Sequence, residues 1–125
     1  MKCYYQGLIR EADNKSRFNG FVSFAVPEIG IKFRGQYHGS FEETEYASLL
    51  ALLEFIELNA HLFKDRRLEI FGNNVKIISQ VNNEISPSDD LEAYCALARD
   101  YKRKIPYILN WIPRTENMAQ DSLPG

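Results

Sequence analysis

Residues 18–26, FNGFVSFAV, set Phe21, Ser23 and Ala25 against Val22, Phe24 and Val26, and residues 2–10, KCYYQGLIR, combine aromatic and other strand-favouring side chains. A period of two places alternate side chains on opposite faces, so both stretches predict strands. Pro27-Glu28-Ile29-Gly30 supplies turn chemistry, and IKFRGQYH at 31–38 sets Ile31 and Phe33 against Lys32 and Arg34. A hairpin and a third antiparallel strand follow. At Ser40 the rhythm changes. Ser40 and Glu43 stand at capping-box spacing, and Phe41, Ala47, Leu50, Leu53, Ile56 and Leu62 recur at helical intervals to about residue 63. LEIFG at 68–72 predicts a short strand, and Val75, Ile77, Ile78 and Val81 a brief helix closed by Asn82-Asn83. Ser86, Ser88 and Asp89 around Pro87 announce another helix, with Leu91, Tyr94, Cys95, Ala98 and Tyr101 on one face and Pro106 beyond its end. Tyr107, Leu109 and Trp111 against Ile108, Asn110 and Ile112 predict a last strand, and residues 114–123 a terminal helix stopped by Pro124-Gly125. The order is βββαβααβα.

The chain has 125 residues, 45% of them hydrophobic, which predicts one domain, 1–125, with a core that needs neither disulfide nor structural metal. Cys3 and Cys95 have no CxxC or Cys/His cluster near them, and His38 and His61 have no partner at metal spacing. No apolar run reaches the length of a membrane span, and the first residues lack the apolar stretch of a signal peptide, so the expected setting is cytoplasmic, without a membrane partner. A formal charge of −2 argues against indiscriminate binding to nucleic acid. Its distribution is uneven. Residues 41–60 hold Glu42, Glu43, Glu45, Glu54 and Glu57 with no base, whereas 101–114 hold Lys102, Arg103, Lys104 and Arg114 with no acid.

Three segments carry a family resemblance. EETEYASLLALLEFI at 42–56, FGNNVKIISQVNN at 71–83 and WIPRTENMAQDSL at 111–123 are similar, in that order, to the first long helix, the fourth strand with its short helix, and the closing segment of ribonuclease H-like proteins. The resemblance implies a mixed five-stranded sheet, three antiparallel strands and then two parallel, flanked by helices on both faces. It also implies four acids that hold two divalent cations, Mg²⁺ or Mn²⁺, about 3.5 to 4 Å apart for phosphodiester hydrolysis.

Carried over residue by residue, the helix acid is Glu45, before Tyr46 and the Ala47-Leu49-Leu50 face, and the terminal acid is Asp121, with Arg114, Asn117 and Leu123 at matching offsets. The first-strand acid is replaced by Gln6, before Gly7, and the fourth-strand acid by Asn73. Glu11 and Asp13 lie too far along, in a predicted loop, to substitute. An amide oxygen ligates a metal without bringing charge, so two dications would face two carboxylates instead of four and be bound weakly if at all. Gln120 and Pro124 also depart from the family's tail pattern.

Each residue has a plainer explanation: Glu45 suits the positive end of a helix, and Lys102, Arg103 and Lys104 suit the negative end of another. With Arg114, across a single strand, those three lysines and arginines form the candidate nucleic-acid-binding edge. The reading adopted is a ribonuclease H-like pseudoenzyme that binds nucleic acid or docks a protein. The alternatives are an active metal-dependent ribonuclease H cutting the RNA of RNA/DNA hybrids, and a protein-interaction domain without nucleic-acid contact.

Overall fold

The structure, a computed structural model, describes residues 1–12, 18–64 and 67–120. Its sheet joins β1 (Lys2–Ala12), β2 (Phe18–Val26), β3 (Ile31–Gly39), β4 (Leu68–Gly72) and β5 (Tyr107–Trp111) in the order β3-β2-β1-β4-β5. The first three strands are antiparallel, β4 runs parallel to β1, and β5 runs parallel to β4. This is the mixed sheet that the resemblance implies. Strand β1 extends past Arg10 to Ala12, so Glu11 pairs with Asn19 in the sheet and does not stand in a loop. Asp13 lies outside the described residues.

Local chemistry sets the element ends. Between β2 and β3 a 3-10 turn at Pro27–Ile29 closes on Gly30, whose φ of 69° is open to glycine at little cost. Helix α1 (Phe41–Leu58) begins with a reciprocal capping box: Glu43 N donates to Ser40 Oγ at 3.1 Å, and Ser40 N to Glu43 Oε1 at 2.9 Å. It ends at Leu58, and a separate 3-10 turn at Ala60–Leu62 replaces the predicted last turn. The short α2 (Val75–Val81) is capped by Asn74, whose side chain accepts from Ile77 N at 3.2 Å, and α3 (Glu92–Lys104) follows a 3-10 turn at Asp89–Leu91.

The core lies between one face of the sheet and the helices. Cys3, Tyr5, Phe24, Val26, Ile70 and Leu109 meet Leu49, Leu52, Leu53 and Ile56 of α1, Ile77 and Val81 of α2, and Cys95 and Ala98 of α3. The buried stripe of α1 runs through Tyr46 and Leu49, one residue ahead of the predicted Ala47 and Leu50. The helix packs on β1 and β2 on one side and on α3 on another, so more than one face is covered and the simple stripe broadens. Among the described residues all three α-helices share this layer. The opposite face carries Tyr4 stacked on Phe71 at 5.5 Å, and Arg34 over the Phe21 ring at 5.2 Å.

The predicted terminal helix does not begin at Arg114. Ile112 N donates to Gly72 O at 2.9 Å, Arg114–Glu116 form a 3-10 turn, and residues 117–120 continue as turn and bend. Pro113 stands two residues behind β5 and precedes this turn, and Asn117 draws the chain back onto the sheet. No helix of the described residues is long and apolar enough to cross a membrane.

Candidate nucleic-acid site at the ends of the central strands

Parallel pairing makes β4 and β5 finish beside the middle of β1, where Tyr4 pairs with Phe71 and Gly72 with Trp111. Gln6 therefore stands just past the tip of β4. Since Tyr5 and Gly7 face the helices, alternation turns Gln6 to the opposite face, where it is 3% exposed. Its carbonyl accepts from Ser23 Oγ at 2.6 Å and from Ser48 Oγ at 3.0 Å, which ties β1 to β2 and α1 at this residue. The carboxamide has no protein partner among the described residues, and its Oε1 is sealed from solvent.

Glu45 arrives from the first turns of α1 and is 0% exposed. The helix comes this close to β1 only because residue 7 lacks a side chain: a Cβ there would lie 2.9 Å from Glu45 N and 3.0 Å from Glu45 Oε2. Through that gap Gly7 N donates to Glu45 Oε2, while Oε1 is buried without a partner. Burial pushes the carboxyl up to about 7, against the smaller opposing effects of the Gly7 N–H and the Arg114 guanidinium.

Asn73, at the end of β4, is held from two sides. Trp111 Nε1 donates to its carbonyl at 3.2 Å, and Asn117 Nδ2 donates to its Oδ1 at 2.8 Å. Asn117 uses its second amide proton on Tyr5 O at 2.9 Å and accepts from Ala119 N at 2.9 Å, so both its amide protons are committed. The side-chain oxygen of Asn73 thereby accepts one hydrogen bond, and its Nδ2 has no protein partner among the described residues. Beside these groups a cavity of about 180 Å³ is lined by Gln6, Gly7, Leu8, Ile9, Phe41, Asn73 and Arg114.

Gln6, Glu45 and Asn73 thus converge with Arg114, while Asp121 lies outside the described residues. The other basic residues do not join them. Lys102, Arg103 and Lys104 end α3, at the edge where β5 begins, and Arg114 follows its far end; five residues of strand at about 3.3 Å each hold the two apart. The expectation of one basic edge is corrected accordingly. Lys102 Nζ instead donates to Asn82 Oδ1 at 3.1 Å and covers the Tyr107 ring, and Lys104 pairs with Glu57 at 3.6 Å. Among the described residues no three His, Cys, Asp or Glu side chains cluster to hold a metal ion.

Solved structures of low sequence identity share this architecture. Ribonuclease H1 LC11, isolated from compost by a metagenomic approach, superposes with a TM-score of 0.78 at 18% identity over 93% of this chain and 86% of its own. The chain has the ribonuclease H-like fold. LC11 ribonuclease H1 in complex with an RNA/DNA hybrid gives 0.73 at 18% identity, covering 94% of this chain and 88% of that one. Ribonuclease H1 from the halophilic archaeon Halobacterium salinarum NRC-1 gives 0.75, again at 18% identity, over 94% and 89% of the two chains. Neither a protein-family model nor a curated protein matches the sequence.

The tail motif marks Asn117 only by its spacing from Asp121, and its clamp on Asn73 is a long-range contact that the motif does not encode. Ser48 was legible in principle, since it follows Glu45 by three residues and shares its helix face. Ser23, Ile9 and Phe41 carried no signal, because a strand serine and two apolar residues look like ordinary sheet and helix positions.

Proposed function

We propose that this ribonuclease H-like domain binds nucleic acid without hydrolysing it. The observation that carries the reading is the Asn117–Asn73 hydrogen bond. It places a competing hydrogen-bond donor on the one oxygen with which Asn73 would meet a cation, at the position where the family resemblance expects a carboxylate. Gln6 brings no charge, and one oxygen of Glu45 is held by Gly7 N–H. The described donor set, one carboxylate and two amides, therefore brings little charge to a pair of Mg²⁺ or Mn²⁺ ions, hard cations that favour carboxylate oxygens. Nucleic acid is favoured as the ligand by the surface that the fold leaves at this site, by the Arg114 guanidinium beside it, and by the hybrid-bound ribonuclease H1 that shares the architecture.

With a backbone contact of this kind, recognition rests on phosphate and shape and carries little base specificity. The test is incubation of a labelled RNA/DNA hybrid with stoichiometric protein in Mg²⁺ and in Mn²⁺, alongside anisotropy titrations of hybrid, duplex and single strand. Intact hybrid together with salt-sensitive binding is the expected result. Cleavage in either metal would establish the active nuclease. Absence of binding to all three ligands at low salt would favour a domain that docks proteins alone.

A further inference from the structure

We infer that the cavity at the strand ends is an oxyanion site, which takes a phosphate group directly on protein donors. The inference rests on the proposed nucleic-acid reading and identifies the chemical group that reading would bring to the cavity. Its basis is the polarity of the lining.

Among the described residues three polar side chains line the cavity, and each offers hydrogen. Asn73 Oδ1 is consumed by Asn117 at 2.8 Å, which turns the Nδ2 group away from that bond. Gln6 Oε1 is sealed from solvent, so the polar group left for the cavity is its amide nitrogen. Arg114 is exposed, its guanidinium lies near enough to the Glu45 carboxyl to act on it, and a guanidinium presents five donors and no acceptor. Glu45 is absent from the lining: Gly7 N–H holds one of its oxygens and the other is buried.

The walls reinforce that polarity. Leu8, Ile9 and Phe41 add apolar surface to the lining, part of it open to solvent, and bring no acceptor side chain to compete for the donors. Phe41 is also the first residue of an 18-residue helix, so the positive end of its dipole faces the cavity. A volume of about 180 Å³ equals several water volumes, room for one tetrahedral oxyanion. Replacing two acids by two amides has thus changed the sign of what the strand ends attract. Carboxylates at residues 6 and 73 would present acceptors to a cation, whereas Gln6 and Asn73 present donors to an anion.

The experiment is a titration of the isotope-labelled protein with inorganic phosphate in EDTA at constant ionic strength, followed by the amide signals of Gly7 and Asn73 and the Arg114 side chain. Saturable shifts at all three are expected. Arg114→Gln, at an exposed position that leaves the fold intact, should weaken binding at least tenfold, as should Asn73→Asp, while Arg103→Gln at the far end of the sheet should leave it unchanged. Shifts that grow linearly, or an affinity unaltered in Arg114→Gln, overturn the inference. An RNA/DNA hybrid titrated against wild type and Arg114→Gln separates the two ideas. Equal hybrid affinity would keep nucleic-acid binding and remove the cavity from it. Saturable phosphate binding without any hybrid binding would support the oxyanion site and overturn the proposed function.

Discussion

Glu45 is the residue on which the environment acts most strongly. Its carboxyl is raised from 4.5 to about 7 by burial, so between those values the folded protein holds a proton that the unfolded chain has lost. Stability is then greatest at and below the unfolded value, falls as pH rises towards 7, and levels off above it. The full span corresponds to roughly 3 kcal/mol for this fully buried group. Urea denaturation of wild type and Glu45→Gln across pH 4 to 8 checks this, and the variant should lose that part of the pH dependence. An unchanged slope would mean that the proton resides elsewhere. Gly7 is the complementary case. Alanine there would push against the backbone of Glu45 at 2.9 Å, and neither β1 nor α1 can retreat without opening the core, so Gly7→Ala should cost about 1–3 kcal/mol. A denaturation midpoint equal to that of wild type would show that the helix tolerates displacement.

At the scale of elements, the cap of α1 and the clamp at residues 112–120 hold the site together. Ser40→Ala removes one half of a capping box and should lower stability by about 1 kcal/mol with an unchanged denaturant slope. Asn117→Ala removes bonds to both Tyr5 and Asn73, so hydrogen exchange should accelerate in residues 112–120 while α1 stays protected. Uniform acceleration would show that the segment is not an independent unit. The elements most legible in the sequence are those with local chemistry: Ser40-Glu43 announces α1, and alternation announces β2, β3 and β5. The terminal helix failed for the opposite reason. Its residues have helical spacing, but Asn117 forms long-range bonds to β1 and β4, which no local pattern encodes. In the same way Gln6, Glu45 and Asn73 could be named from motifs, yet the direction in which Asn73 points depends on a partner 44 residues away.

Across the whole molecule, charge is divided along the sheet. Arg114 stands at the end with the cavity, and Lys102, Arg103 and Lys104 at the other, where Lys102 and Lys104 already have protein partners. If the cavity end meets the phosphate backbone, Arg114→Ala should reduce the slope of log affinity against log salt by about 0.7 to 0.9, and changing the three distal residues to Ala together should not. The reverse pattern would move the interface to the α3 end. On the proposed reading, acids at residues 6 and 73 should introduce cation binding. Calorimetry with Mn²⁺ is expected to detect binding to the Gln6→Asp, Asn73→Asp double variant and none to wild type. Equal binding to both would show that the amides are not what excludes the ion.

Affinity for an RNA/DNA hybrid, measured by anisotropy in EDTA and again in Mg²⁺ at matched ionic strength, addresses the central claim most directly. Donors supplied by the protein predict the same affinity in both conditions, with the hybrid intact after each titration. Binding that appears only with Mg²⁺, or a hybrid shortened in its presence, would contradict the account.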